Sequence, residues 1–270
     1  MLNEDVLHQY QGTDLLAIRT LTHKHYSEVN TDLDAECARA LRLSGDESLL
    51  DVGCGPGVFL RYLRSHGHTG RLAGLDQSAG MIAAASAASD ADGQAIEWFT
   101  GLAGALPFGD GEFAVVSARH MLYHVPDILA TLREFARVVG PGGVVFAATN
   151  FADTTPHCGA LEDDLAAEFG ITATPSSNAK FNHTNAPDLL AQVFTEVEET
   201  LLPSALVFTE AAPVVRYVMT MSTPQQLTQD PDQSARVHDW LTAEAERRLA
   251  AMGGVWRDPK GIALYRCVAG

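Results

Sequence analysis

Largely apolar runs alternate with amphipathic stretches through the first 150 residues of the 270-residue chain. Short apolar runs bounded by turn residues are typical of buried strands, whereas apolar positions spaced three and four apart indicate helices. We predict strands at residues 49–52, 72–76, 96–100, 113–117 and 144–149. We predict helices between them at residues 58–66, 79–88 and 128–139. Strands that alternate with helices in this way favour a parallel sheet covered on both faces.

The alternation is interrupted after residue 150 and resumes near residue 187. Residues 150–185 contain one short predicted helix at 161–169 and a polar stretch at 174–178, which we interpret as an inserted cap over the strand ends. Beyond it we predict helices at residues 187–194, 212–221 and 233–251, and strands at residues 197–208 and 262–268. The chain is therefore expected to form an α/β fold with seven strands.

A glycine-rich turn follows the first predicted strand. Gly53, Gly55 and Gly57 let the backbone turn tightly and approach a ligand, which a Cβ atom would prevent. Asp76 ends the second predicted strand, as does the acid that binds ribose hydroxyls in nucleoside-binding folds. The spacing G-x-G-x-G, with Val58 at the third fingerprint position, fits a pyrophosphate poorly and disfavours a nicotinamide-dependent dehydrogenase.

The run from Leu49 to Gly57 resembles the first motif of the class I S-adenosyl-L-methionine (SAM)-dependent methyltransferases. Three further segments are similar to motifs of the same family, in the same order and at family spacing: Ala105–Val116, Met121–Asp127 and Glu134–Gly143. The resemblance extends over residues 45–150 and is closest to the type 11-like, small-molecule members. It implies a Rossmann-like, doubly wound, seven-stranded and mostly parallel sheet with N-terminal helices and an inserted cap.

The family resemblance also implies a domain organisation in four segments. Residues 1–43 are expected to form an N-terminal helical lid, and residues 44–150 the SAM-binding Rossmann-like core. Residues 151–186 would be the cap insertion. Residues 187–270 would complete the core sheet and add C-terminal helices.

The resemblance implies which residues hold SAM, and after transfer its product S-adenosyl-L-homocysteine (SAH). Asp51 would attract the ammonium group of the methionine moiety, Asp76 would bind the ribose hydroxyls, and Arg119 would offer its backbone carbonyl to the amino group, with its side chain elsewhere. The remaining expected cofactor-binding residues are Tyr26, Gly53, Cys54, Gly55, Gly57, Gln77, Met81, Leu102 and Ala103. Two departures weaken the pattern: Leu102 and Ala114 stand where the family often has aspartate.

Candidate catalytic residues lie at the end of the fourth predicted strand. His120 and His124 bracket that end, and a neutral imidazole suits proton removal from an O–H or N–H acceptor. Tyr123 is expected to orient the substrate, and His157 and His183 on the cap to face it. Histidines at these places in relatives often only pack or orient, so the identity of a general base, if there is one, stays open.

Composition excludes several classes of partner. The net charge is −16, from 34 acidic and 18 basic residues, which argues against nucleic acids and anionic membranes because both need clustered lysine and arginine. There is no apolar run long enough to span a bilayer, and the acidic N-terminus lacks the apolar core of a signal peptide.

The four cysteines are scattered without metal-ligand spacing, so we expect reduced thiols, no metal and a cytoplasmic protein.

We therefore expect an enzyme that transfers a methyl group from SAM to a small-molecule acceptor in specialised, natural-product metabolism. One alternative is a non-methylating SAM-binding protein, either cyclase-like or a binding partner, which the departures at Leu102 and Ala114 leave open. Another is a macromolecular methyltransferase, although Ser117–His120 lacks the (N/D)PP(Y/F) turn of nucleic-acid amino methylation. The acceptor, its reacting atom and the oligomeric state, monomer or homodimer, stay open.

Overall fold

The computed structural model describes residues 13–172 and 177–270 of the chain. The part of the predicted N-terminal helical segment before residue 13, and residues 174–176 of the predicted polar stretch, lie outside the described residues. The strands are β1 (Leu49–Val52), β2 (Leu72–Asp76), β3 (Glu97–Thr100), β4 (Val115–Arg119), β5 (Val144–Asn150), β6 (Glu196–Phe208) and β7 (Trp256–Val268). The helices are α1 (Thr13–Tyr26), α2 (Leu33–Leu41), α3 (Val58–Ser65), α4 (Ala79–Ala91), α5 (Ile128–Val139), α6 (Pro156–Glu168), α7 (Ala186–Leu190), α8 (Ala211–Val218), α9 (Ser222–Leu227) and α10 (Pro231–Ala251).

The strands form one seven-stranded sheet in the order β3-β2-β1-β4-β5-β7-β6. Strands β1 to β5 pair in parallel, and β7 pairs antiparallel with β5. The seven-stranded, mostly parallel α/β fold predicted from the sequence is confirmed. The chain reverses its direction of progress through the sheet at β1, whose neighbours are β2 and β4. In open parallel sheets this switch point, at the carboxyl ends of the strands, is where ligands bind.

Alternate residues of the central strands point to opposite faces of the sheet. Leu50 and Val116 belong to one buried cluster, whereas Leu49 and Val115 belong to a second. Helix α5 contributes Leu132, Phe135 and Val138 to the first cluster, and α3 contributes Phe59 and Leu60 to the second. Because both faces are covered, the central strands read as continuous apolar runs.

Several element bounds differ from the sequence prediction, and local signals explain some of the differences. Helix α5 has the predicted bounds, and the Asp127 carboxylate caps it by accepting from Ala130 N at 2.9 Å. Helix α6 begins at Pro156 rather than at residue 161, since proline suits the first turn of a helix. The helix predicted at residues 212–221 ends earlier, at Val218 in α8, and a separate short helix, α9, begins at Ser222.

The chain divides into two compact units. One comprises Thr31–Ala152, Ser177–Leu202 and Ile262–Gly270, and it contains β1 to β5. The other comprises the described residues within Met1–Asn30, Asp153–Ser176 and Pro203–Gly261. The latter has its own core, in which α6, α8 and α10 pack around residues such as Leu161, Val214 and Leu241. Within the described residues, no helix combines the length and apolar character needed to cross a bilayer.

A buried carboxylate caps helix α6. Asp258 is fully buried, and its two oxygens accept from His157 N at 3.0 Å and Cys158 N at 2.8 Å. These N–H groups belong to the first turn of α6, which has no intrahelical acceptor for them. We expect Asp258→Ala to lower the free energy of unfolding by about 3 kcal/mol, because two hydrogen bonds to a charged group are lost and two donors stay buried. Urea denaturation measures this loss.

The matched control for the capping prediction is Asp258→Asn. Its amide keeps one acceptor oxygen for the helix, so about half of the loss is expected. An unchanged denaturation midpoint for Asp258→Ala would show that the cap contributes nothing to stability.

Candidate functional site

The glycine turn lies directly against the end of β2. Gly53 N and Cys54 N both donate to Leu75 O, at 2.7 and 3.1 Å. Gly53 has φ +69°, and a Cβ atom there would lie 2.8 Å from Met121. Gly55 has φ +54°, and apart from its chain neighbours no described residue has an atom within 4 Å of where its Cβ would be. The turn therefore offers bare backbone to an open space at the carboxyl ends of the strands.

Asp76 is held against this turn by two backbone donors. Its Oδ2 accepts from Gly55 N at 2.9 Å, and its Oδ1 accepts from Ser78 N at 2.8 Å. Each carboxylate oxygen keeps a further lone pair, which is the arrangement needed to receive a pair of ribose hydroxyls. The structure thus brings Asp76 and the glycine turn together, as the sequence predicts.

Asp51 is buried beside the cationic side chain of Arg119. The residue is 1% exposed, and its Oδ1 has no hydrogen-bond partner among the described residues. Burial raises the pKa of this carboxyl, and the Arg119 guanidinium opposes the rise. Arg119 Nη2 lies 3.6 Å from Asp51 Oδ2. When ionised, this carboxylate can accept further hydrogen bonds from a ligand.

The side chain of Arg119 was expected from the sequence to lie away from the cofactor site, and this was wrong. It lies beside Asp51, donates from Nη1 to Asp34 Oδ1 at 2.7 Å, and stands 4.0 Å from the Phe59 ring centroid. The physical reason is that a buried carboxylate needs a nearby cation. Asp34 and Phe59 were missed, because no sequence spacing relates them to residue 119. The one feature of the sequence that could have indicated these contacts is the position of Arg119, a charged residue directly after the apolar run of β4.

The residues expected around adenine follow β2 and β3. Gln77 is exposed, and Met81 is partly buried, its N donating to Ser78 Oγ at 3.3 Å in the first turn of α4. Leu102 is 63% exposed, and Ala103 packs against the core. The residues expected to contact adenine thus lie, like Asp76, at the carboxyl ends of the strands.

Two expected cofactor-binding residues have a clear structural part in the turn. Gly57 precedes the first residue of α3 with φ +73°, and a Cβ there would lie 2.3 Å from the Trp98 ring. Cys54 is buried, and burial raises the pKa of its thiol, so it is present as the neutral thiol.

His120 stands at the end of β4 in a strained conformation. Its φ is +53°, a left-handed value that is uncommon for a residue other than glycine, and its N donates to Ala148 O at 2.8 Å. No hydrogen bond to its ring nitrogens is found among the described residues. Burial, with a smaller contribution from the Arg119 cation, lowers the pKa of His120 to about 4. The ring is therefore neutral near pH 7 and open to a partner.

His124 and Tyr123 lie in the short turn that follows. Their rings meet edge to face at 4.5 Å between centroids. Burial lowers the pKa of His124, and the charge of Lys180 lowers it further. Both catalytic candidates are thus neutral imidazoles near the end of β4.

The remaining candidates are divided between the units. His183 lies at the end of β5, where its Nδ1 accepts from Ala152 N at 2.9 Å and its ring stacks on Phe151. This bond places the ring proton on Nε2. His157 and Tyr26 belong to the other unit, where His157 is exposed and Tyr26 packs on Phe208. Their expected contacts with substrate and cofactor stay predictions.

Comparison with known proteins shows what the central part of the chain is similar to. Residues 50–147 match the family described as "Methyltransferase domain". The demethylmenaquinone methyltransferase of Staphylococcus saprophyticus is 35% identical over 119 residues, which are 44% of this chain and 51% of that protein. The ubiquinone biosynthesis O-methyltransferase of Parvibaculum lavamentivorans is 32% identical over 143 residues, 53% of each chain. The chain thus spans about half the length of these relatives.

A solved structure extends the likeness of fold along the chain. The phosphoethanolamine N-methyltransferase 2 of Haemonchus contortus, in complex with phosphomonomethylethanolamine and SAH, has a TM-score of 0.57 to this chain at 16% identity. The match covers 97% of this chain and 58% of that one. At this identity the likeness shows the fold alone.

Proposed function

We propose that this chain, whose residues 50–147 match a methyltransferase domain family, binds SAM as its cofactor and transfers the SAM methyl group to a small-molecule acceptor. The single observation that carries the proposal is the buried Asp51 carboxylate, whose Oδ1 lacks a partner among the described residues, beside the open glycine turn. The names of the two relatives described above, a demethylmenaquinone methyltransferase and a ubiquinone biosynthesis O-methyltransferase, refer to quinones, which supports a small acceptor. Specialised metabolism and a cytoplasmic location are part of the proposal.

The residues present fit SAM. Asp51 would take its ammonium group, the bare backbone at Gly55 would leave room for the chain of the methionine moiety, and Asp76 would hold the ribose hydroxyls. Gln77, Met81, Leu102 and Ala103 would border the adenine. The backbone carbonyl of Arg119 is the proposed acceptor for the second donor of the amino group. No group of three or more potential metal ligands occurs among the described residues.

When bound, SAM supplies a methyl group on a positively charged sulfur, already activated for transfer. The chain then has to position the acceptor, exclude water and take a proton where the acceptor loses one. We assign the proton to a ring nitrogen of His120, since the ring is neutral and lies at the end of β4. His124 is the second candidate, and Tyr123, His183 and His157 are the proposed acceptor-binding side chains.

Calorimetric titration with SAM, SAH and, as a control, NAD tests the cofactor assignment. We expect both adenosyl ligands to bind at micromolar concentration and NAD not to bind. Methyl-labelled SAM with candidate acceptors then tests transfer. Binding without release of label to any acceptor would favour a non-methylating SAM-binding protein, and binding of NAD alone would refute the assignment.

Asp76→Ala is expected to weaken SAM binding at least tenfold. The substitution removes two charge-assisted hydrogen bonds to the ribose, each worth about 1.5–3 kcal/mol. Isothermal titration measures it, and Asp90→Ala, an exposed change on α4, is the matched control. Equal affinity in both variants would refute the ribose assignment.

A further inference from the structure

A charge cluster surrounds the buried Asp51 carboxylate. Arg119 reaches two carboxylates at once, with Nη1 at 2.7 Å from Asp34 Oδ1 and Nη2 at 3.6 Å from Asp51 Oδ2. The side chains of Arg119 and Asp51 are 15% and 2% exposed, so solvent screens this cluster little. We propose that Arg119 is a positioning residue that keeps Asp51 ionised and correctly oriented for the ammonium group of SAM, and that Asp34 anchors the guanidinium.

The geometry of the guanidinium supports this role. A planar fork can direct separate N–H groups at two acceptors while its face rests on an aromatic ring. Asp34 holds one nitrogen, and the Phe59 ring lies 4.0 Å from the guanidinium carbon. With these two contacts in place, the second terminal nitrogen is left directed towards Asp51.

The charge balance of the cluster suits a cationic ligand group. The Asp34 and Asp51 carboxylates and the Arg119 guanidinium leave one net negative charge when all three are ionised, and the Asp76 carboxylate lies against the same glycine turn. Burial raises the pKa values of the neighbouring thiols, to about 12 for Cys37, so they are neutral, and the His120 ring is neutral as well. Among the described residues, the titratable and charged groups around Asp51 are Arg119, Asp34, Cys37, Cys54, Asp76 beyond Cys54, and His120 beyond Arg119.

The inference rests on the proposed function, since it concerns how the same cofactor is held. Without Arg119, Asp51 would be a buried carboxyl with no cation, and such a group binds a proton near neutral pH. A protonated Asp51 has no charge with which to attract an ammonium group. The loss of ligand affinity on removal of Arg119 should therefore depend on pH. It should affect only ligands that carry the amino-acid moiety.

The test is calorimetric titration of wild type and Arg119→Met with SAH at pH 6.0 and 7.5. A second ligand, 5′-methylthioadenosine, keeps the adenosyl part and lacks the amino acid. For the wild type we expect nearly equal SAH affinity at both pH values. For Arg119→Met we expect SAH to bind at least tenfold more weakly at pH 6.0, with partial recovery at pH 7.5, and methylthioadenosine to bind as it does to the wild type.

Further variants separate this role from a purely structural one. Arg119→Lys restores a cation and should regain most of the SAH affinity and the flat pH response. The pair Asp51→Asn with Arg119→Met removes the unpaired buried charge, so it should fold, bind methylthioadenosine, and bind SAH weakly at both pH values.

Two results would overturn the inference: wild-type SAH affinity at both pH values in Arg119→Met, or equal losses for SAH and methylthioadenosine. A wild-type protein that binds neither adenosyl ligand would instead overturn the proposed function itself.

Discussion

Gly55→Val is expected to weaken SAM binding at least a hundredfold, equivalent to about 2.8 kcal/mol. The reason is steric: in the part of the chain that the structure describes, only the chain neighbours of Gly55 come within 4 Å of the Cβ position, so the valine side chain would enter the open space proposed for the cofactor. Gly55 also donates its N–H to Asp76, so a shifted turn would disturb the ribose site. Isothermal titration with SAM and SAH measures the effect.

The matched variant Gly93→Val separates this steric effect from backbone strain. Gly93 has φ +64°, and among the described residues it likewise has only its chain neighbours within 4 Å of its Cβ position, but it follows the end of α4. A β-branched residue in the left-handed region costs about 1–2 kcal/mol at either place. Both variants should therefore lose similar stability in urea, and only Gly55→Val should lose SAM affinity. Comparable SAM affinity in the two variants would rule out the space at Gly55 as the cofactor site.

His120→Asn is expected to lower kcat by about 10²–10⁴ while SAM affinity changes little, because general-base catalysis contributes rate enhancements of that size. Asparagine tolerates the left-handed backbone at φ +53° better than alanine does, so the fold is preserved. Transfer of labelled methyl to an identified acceptor gives the rate. His124→Asn tests the second candidate, and His238→Asn, an exposed change on α10, is the control.

The pH profile gives an independent check on His120. Its pKa is about 4, so the ring is unprotonated and available as a base at any pH above that value, and activity should persist through pH 5–6.5, where an ordinary histidine base would be lost to protonation. In the unfolded chain the same histidine binds a proton near pH 6.5, so stability decreases as the pH falls from 6.5 towards 4. Circular dichroism at each pH separates loss of fold from loss of base. A full rate in His120→Asn would transfer the role to His124 or show that no base is needed.

Much of the core was predictable from local patterns. The strands β1, β2 and β5 and helix α5 follow from apolar runs, glycine turns and one capping aspartate, and these signals act over a few residues. The placement of Asp76 against the glycine turn was also predictable, because neighbouring parallel strands end at the same edge of a sheet. Bounds were less predictable where tertiary packing extends an element, as in β7, which continues back to Trp256.

The sequence by itself determined the alternation of strands and helices, the glycine turn with its two flanking acids, and the resemblance to one enzyme family. Only the tertiary structure decided which charges meet. Arg119 is 85 residues from Asp34 in the chain, and it pairs with that residue because the folded chain brings α2 and the end of β4 together over Phe59. The strained backbone of His120, the lone acceptor on Asp51 and the division into two units likewise depend on contacts between residues distant in sequence, which no local pattern encodes.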